Sequence, residues 1–134
     1  MEPTRLFPII AVLSLVTVES GGYALLGLLT TKNPNIGPFG FRFFRAGHAH
    51  AGVLLVLTLV YFLYLPQAEY SDGMEWIIGA VLTAGVLGQS GGFFVHLARG
   101  AEGEGSAGTT LTRIGGLLLA AALVLLAIGL IRTA

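Results

Sequence analysis

The stretch Arg45-Ala-Gly-His48-Ala-His50-Ala-Gly52 leads without a break into Val53–Leu65, which is almost wholly apolar. Two imidazoles therefore lie where a segment suited to lipid begins. Histidine is a common metal ligand and a proton donor or acceptor near neutral pH. A polar side chain in hydrocarbon is costly unless something uses or satisfies it. The stretch thus predicts a membrane helix with functional groups at one end.

The composition indicates that the whole chain is suited to a membrane. Of its 134 residues, 54% are hydrophobic and 10% are charged, whereas a soluble domain carries about 25% charged residues. Apolar runs of about 20 residues predict membrane helices. Four such runs occur, at residues 6–29, 47–65, 76–97 and 111–131. We therefore predict an all-α fold, an integral membrane four-transmembrane-helix bundle that forms a single domain and contacts lipid.

Several classes of site and partner are disfavoured by what the sequence lacks. Without cysteine it can form no disulfide, thiolate metal site or cysteine nucleophile. The net charge is zero and there is no basic run, so nucleic acid is not an expected partner. The first apolar run is too long for a secretory signal and contains Glu19, so we interpret it as a membrane span. Because four helices form a thin bundle around any sizeable ligand, we expect a homo-oligomer.

The segment Thr30–Arg45 is expected to be a loop, since it contains the turn formers Asn33-Pro34-Asn35 and Gly37-Pro38. Its aromatic residues alternate with Arg42 and Arg45, a pattern typical of an anchor at the membrane interface. Alternatively, the two arginines bind anionic groups such as the carboxylates of a cofactor. The next connection is acidic, and the third, 98–110, is rich in glycine.

The basic residues predict the orientation of the chain. One side of the membrane would carry five of them and the other side two. By the positive-inside rule, the side with five is cytoplasmic. The larger set comprises Lys32, Arg42, Arg45, Arg99 and Arg113, and the smaller one Arg5 and Arg132.

The sequence also suggests an internal two-helix duplication. Glu19-Ser-Gly-Gly-Tyr23 in the first run resembles Gln89-Ser-Gly-Gly-Phe93 in the third, and Arg45-Ala-Gly47 resembles Arg113-Ile-Gly115 near the same offset. Repeats of this kind are common in membrane proteins. The second copy lacks the histidine pair, so the fourth helix is expected to be a scaffold.

Alternating spans bring the polar residues of the chain together. The first span ends, the second begins and the third ends on one side, so His48, His50 and His96 are all expected near that face. Glu19 and Gln89, which occupy equivalent repeat positions, would form a polar layer at mid-membrane depth. Glu19 is interpreted either as a protonated side chain that hydrogen-bonds Gln89 or Ser90 across a helix interface, or as a general acid/base or proton relay. The Ser-Gly-Gly triplets and the Gly88-xxx-Gly92 pattern indicate close helix packing or space for a flat ligand.

His48 and His50 do not form a simple metal pair. Residues two apart on a helix are separated by roughly 200° and point to opposite sides. We therefore expect one of them to coordinate and the other to have a different role. The face that carries His50 continues through Leu54, Leu57 and Tyr61, which we interpret as an apolar wall for a hydrophobic ligand.

Two motifs carry a family resemblance. The opening of the second span, Arg45-x-x-His48-x-His50-Ala-Gly52, and the stretch Gly88-Gln-Ser-Gly-Gly-Phe-Phe94 in the third resemble the small membrane isomerases. These are the styrene oxide isomerases and the hydroxylaminobenzene mutases. In styrene oxide isomerase the second helix opens with Ala-His-Ser-Gly, whose histidine is an axial ligand of haem b. The resemblance therefore implies haem b, with His50 in Ala49-His-Ala-Gly52 as its ligand and iron contact.

The resemblance further implies a homotrimer with haem between subunits and ferric iron acting as a Lewis acid on a small apolar epoxide or N-oxygenated substrate. Two positions depart from the family pattern, since its tyrosine falls on Phe94 and its asparagine on Val56. Both departures remove polar groups that would orient substrate, while Glu19 and His48 are additions in this chain. The haem site is thus better supported than the isomerase chemistry.

Three functions follow as hypotheses, beside the simplest one of a structural membrane subunit. The first is an isomerase with haem on His50, propionates on Arg42 or Arg45, and Glu19, Gln89 and His96 lining the pocket. The second is a non-enzymatic haem protein for electron transfer, gas sensing or haem transport, with His48 or His96 of the same or a neighbouring subunit as second ligand. The third is a metal or proton translocator that uses the histidines and Glu19. The expected location is the bacterial cytoplasmic membrane.

Overall fold

A computed structural model describes residues 1–30 and 36–134, and it confirms the predicted all-helical fold. Its four long helices are α1 (Pro3–Thr30), α2 (Pro38–Tyr64), α3 (Asp72–Arg99) and α4 (Ala107–Thr133). All four are long and apolar enough to cross a membrane, as expected of an integral membrane protein. The predicted turn at Asn33-Pro34-Asn35 and Lys32 lie outside the described residues.

The second helix begins nine residues before the predicted boundary at residue 47. Gly37 is its N-cap and Pro38 is its first residue, a position that favours proline because its φ suits a helix and its missing N–H is not needed. Arg42 and Arg45 are therefore helical, and the prediction that they lie in a loop is wrong. At 1.5 Å per residue the helix is roughly 40 Å long, so its first turns extend beyond a hydrocarbon core of about 30 Å.

The ends of the last two helices have recognisable chemical causes. Asp72 and Glu75 lie in the first turn of α3, and Arg99 lies in its last turn, where their charges complement the helix dipole. Ser106 is the N-cap of α4: its hydroxyl accepts a hydrogen bond from the Gly108 N–H at 3.0 Å. The glycine-rich connection between α3 and α4 therefore comprises residues 100–106 and is shorter than the predicted 98–110.

Helices α3 and α4 approach most closely, because glycines line their interface. A Cβ atom built on Gly115 would lie 2.1 Å from the backbone nitrogen of Gln89, and one on Gly92 would lie 2.6 Å from the carbonyl oxygen of Gly108. Such distances leave no room for a side chain. The predicted packing role of the Gly88-xxx-Gly92 pattern is therefore confirmed at this interface.

The hydrophobic core lies at the end of the bundle that is remote from the histidines. There the ring of Phe7 stacks on Phe62 with centroids 5.4 Å apart, and it meets Trp76 edge to face at 5.5 Å. Two tyrosine hydroxyls form hydrogen bonds that connect α4 to this core. Tyr61 donates to the carbonyl oxygen of Ala122 at 2.8 Å, and Tyr70 to that of Leu125 at 2.7 Å.

The first helix is the least buried of the four. Apart from Pro3, only Phe7 and Ala11 on it are buried, and both lie in its first third. Leucine and valine side chains on its other faces are exposed, among them Leu13 and Val16 at 64% and 63%. In a bilayer such faces contact lipid or another chain, so one copy of the chain leaves α1 only lightly packed.

Candidate functional site

The imidazole of His48 lies against the glycine pair of α1. A Cβ on Gly21 would be 3.1 Å from His48 Nδ1, and one on Gly22 would be 3.6 Å from Nε2. The ring of Phe44, one turn earlier in α2, is nearly parallel to the imidazole, with centroids 6.4 Å apart. The two glycines therefore provide the space that this imidazole occupies between α1 and α2.

His50 faces α3 and has one of its ring nitrogens engaged by the backbone. Its Nδ1 lies 2.9 Å from the carbonyl oxygen of Ala46, one turn earlier in α2. A carbonyl can only accept, so Nδ1 carries the proton and Nε2 keeps a free lone pair. The ring is half-buried beside Phe93, with centroids 4.7 Å apart. This is the arrangement in which protein histidines commonly bind a metal through Nε2.

His96 is buried and joins three helices. Its Nδ1 lies 2.7 Å from Ser106 Oγ, the N-cap of α4, and only 3% of the residue is exposed. Its ring also contacts Phe39 and Phe43 of α2, with centroids 5.6 Å and 4.4 Å away. The extended first turns of α2 are therefore held against the end of α3 by this imidazole.

The three histidines lie in the same half of the bundle, as expected, but they face three different neighbours. His48 contacts α1, His50 contacts Phe93 of α3, and His96 contacts Ser106. The predicted opposition of His48 and His50 is thus present. No group of three or more histidine, aspartate or glutamate side chains in the described part of the chain is placed to hold a metal ion.

The expected polar layer between Glu19 and Gln89 does not form. Glu19 is exposed on the outside of α1 and has no hydrogen bond to a described residue, and Ser90 donates instead to the carbonyl of Val86 at 2.6 Å. Gln89 Oε1 is buried without a hydrogen-bond partner among the described residues and lies beside Gly116 of α4. The prediction failed because α1 is apolar on most faces, so its sequence does not specify which face points inward.

The two arginines of α2 are not equivalent. Arg42 pairs with Glu102 in the connection between α3 and α4, and both side chains are more than 60% exposed. Arg45 is exposed and forms no ion pair with any described residue. Of the two, Arg45 is therefore the one that is free to bind an anionic group.

The apolar wall expected beside His50 lies elsewhere. Leu54 and Tyr61 are buried in the core and cannot face a ligand. The neighbouring face of α2 is open instead, where Arg42, Arg45, Ala46 and Ala49 line a shallow cavity of about 360 Å³. Beyond it Val53 is 68% exposed, so the helix continues as a bare apolar surface.

A second concave region was not predicted from the sequence. Two adjoining cavities of about 410 and 220 Å³ lie between α2, α3 and the start of α4. We call them together the aromatic cleft; the residues common to both are Phe43, Phe93, His96 and Thr109. The sequence signals that could have indicated it are the four-residue spacing of Phe39 and Phe43 and the capping pattern Ser106-x-x-Thr109.

Comparisons with known proteins leave the family of the chain open. No family model matches the chain, and neither a curated protein nor a solved structure is significantly similar to it. The resemblance to the small membrane isomerases therefore remains a prediction that depends on the two quoted motifs.

Proposed function

We propose that this integral membrane protein binds haem b, with His50 as the residue that would hold its iron, and catalyses an isomerisation of the styrene oxide isomerase type. The observation that carries the proposal is the hydrogen bond between His50 Nδ1 and the carbonyl of Ala46. It holds the ring in one orientation and leaves Nε2 available to a metal.

The residues around His50 fit a porphyrin. Ala46 and Ala49 are small enough to let a flat ring lie against α2, and exposed Val53 extends the same apolar surface. Arg45, at the end of this surface near the membrane boundary, would bind a propionate. Arg42 would do so only after leaving Glu102.

A single chain would contact a porphyrin on this surface from one side only, which supports the expectation of a homo-oligomer. His50 is half-buried, and the alanines beside it border an open depression rather than an enclosed pocket. A second copy of the chain would cover the other side of a bound porphyrin and exclude water. The trimer implied by the resemblance is part of the proposal.

When bound, ferric haem would supply a Lewis acid for the oxygen of an epoxide or N-oxygenated substrate, without net redox change. In this chain, His50 would position the cofactor, and the apolar face of α2 would admit a small hydrophobic substrate. The predicted catalytic roles of Glu19 and Gln89 remain predictions, because neither contacts His50.

Contacts of the other histidines favour an enzyme over a six-coordinate electron carrier. His48 lies on the opposite side of α2 against Gly21 and Gly22, and His96 is buried on Ser106. Neither is placed to provide a second iron ligand within the same chain. A metal or proton translocator has less support, since Glu19 is exposed and Gln89 Oε1 has no hydrogen-bond partner in the described part of the chain.

An absorption spectrum tests the proposal. We expect the detergent-purified protein from haem-replete cells to show a Soret band that His50→Ala abolishes, with His48→Ala and His96→Ala as matched controls that retain it. An exchangeable, open coordination position would support the enzyme, and a low-spin six-coordinate spectrum would support the electron carrier. A colourless wild-type protein would overturn haem binding altogether.

The proposal includes the location. We place the protein in a bacterial cytoplasmic membrane with the histidine end of the bundle on the cytoplasmic side, because Arg42, Arg45, Arg99 and Arg113 all lie near that end.

A further inference from the structure

We propose that the aromatic cleft is a binding site for a small, uncharged aromatic molecule that carries one hydrogen-bond acceptor. The cleft lies between α2 and α3 beside Phe93 and His96, whereas the proposed haem surface follows Ala49 and Val53 on α2. Among the described residues, only Arg42 and Ala46 border both the cleft and the cavity beside Arg45. The inference goes beyond the proposed function and does not depend on a bound cofactor.

The dimensions and lining of the cleft favour an aromatic occupant. Its larger cavity measures about 410 Å³, within the range of about 300–1,000 Å³ that is usual for small-molecule sites. Phe39, Phe43 and Phe93 contribute rings from two helices. Such rings favour stacked or edge-to-face contacts with another aromatic ring.

His96 supplies a directed polar group to this apolar lining. Ser106 Oγ already accepts a hydrogen bond from the Gly108 N–H at 3.0 Å, so its hydroxyl proton needs an acceptor, and His96 Nδ1 lies 2.7 Å away. We therefore assign the ring proton of His96 to Nε2. The imidazole lines both cavities and would donate from Nε2 to an oxygen of the ligand.

The charges at the rim indicate that the ligand is neutral. Arg42 is paired with Glu102 across the opening of the larger cavity, which Glu104 also borders, and Arg113 borders the smaller one. Two positive and two negative side chains thus surround the cleft. Neither an anion nor a cation would gain a net electrostatic advantage there.

Thiol protection tests the site, because the chain contains no cysteine and a single introduced thiol reports without background. Ala46→Cys places the thiol in the lining of the cleft, and Ala46 also borders the cavity beside Arg45. Ala49→Cys, three residues further along α2, lines only the cavity beside Arg45 and is the matched control. Both are alkylated with N-ethylmaleimide in detergent, in otherwise wild-type protein and in the His50→Ala background, so that the result is independent of haem.

The probes are acetophenone and α-methylstyrene, which have the same shape but differ in the acceptor oxygen. We expect acetophenone to slow alkylation of Ala46→Cys and not of Ala49→Cys, with a half-effective concentration about threefold to tenfold lower than that of α-methylstyrene, the factor expected for one hydrogen bond. Adding His96→Phe should remove this difference between the probes.

Two outcomes would overturn the proposal. Equal slowing of both thiols, or of neither, would show that the cleft holds no site. Equal potency of the two probes in protein with intact His96 would refute His96 as a donor and with it the proposed ligand class. In the haem-free background these outcomes are separate from failure of the haem proposal.

Discussion

The two helical hairpins, α1–α2 and α3–α4, have related sequence motifs, but the two helices of each hairpin are in contact through different groups. In α3–α4, Gly92 and Gly115 bring backbone against backbone. In α1–α2, Gly21 and Gly22, which correspond to Gly91 and Gly92, meet the imidazole of His48 instead. A side chain can move or be exchanged more easily than a backbone, so the first hairpin can acquire chemistry while the second serves as the scaffold.

The largest loss of stability is expected at Gly115, where the backbones of α3 and α4 are in contact. Gly115→Ala would place Cβ 2.1 Å from the Gln89 nitrogen and 2.6 Å from the Gly88 carbonyl carbon, so the helices must separate. We expect a loss of about 3 kcal/mol in the free energy of unfolding, measured by denaturant titration in detergent. Gly91→Ala is the matched control, because its Cβ meets nothing within 4 Å. Similar losses in both variants would refute the backbone contact.

A smaller loss of stability is expected at Ser106, the N-cap of α4, which also contacts His96. Ser106→Ala removes the hydrogen bond to Gly108 and the partner of His96, so unfolding should require about 1–2 kcal/mol less. Ser71→Ala is the control, since Ser71 is the N-cap of α3 but makes no capping hydrogen bond through its side chain. The same titration compares the two, and equal effects would contradict a specific role of Ser106.

The smallest loss of stability is expected at Gly21, which faces the side chain of His48. Gly21→Ala would place Cβ 3.1 Å from His48 Nδ1, a contact that a small shift of the ring can relieve at a cost of about 1 kcal/mol or less. In the His48→Ala background this cost should disappear, which a double-mutant cycle measures. A cost that persists without the imidazole would show that α1 and α2 also meet through their backbones.

The sequence predicted the number and approximate position of the helices, because hydropathy reports which segments prefer lipid. It did not predict where α2 begins, since Pro38 and the contacts of Phe39 and Phe43 with His96 extend the helix beyond the apolar run. The opposition of His48 and His50 was predictable because it depends only on helical geometry.

The neighbours of the site residues were harder to predict for a physical reason. In a membrane, the faces of a helix toward lipid and toward protein are both apolar, so periodicity does not specify its rotation. Glu19 was therefore expected inside the bundle and is exposed. The pairing of His96 with Ser106 depends on how the chain returns between α3 and α4, which no local pattern indicates.

The two tyrosine hydroxyls on α4 determine which movements are open to the bundle. Tyr61 and Tyr70 bind carbonyls of Ala122 and Leu125, which lie roughly 4.5 Å apart along the helix axis. With both bonds formed, α4 can neither slide by a turn nor rotate about its axis. Tilting of α1, whose buried residues lie only near its start, is then the movement that would widen or narrow the space around His48.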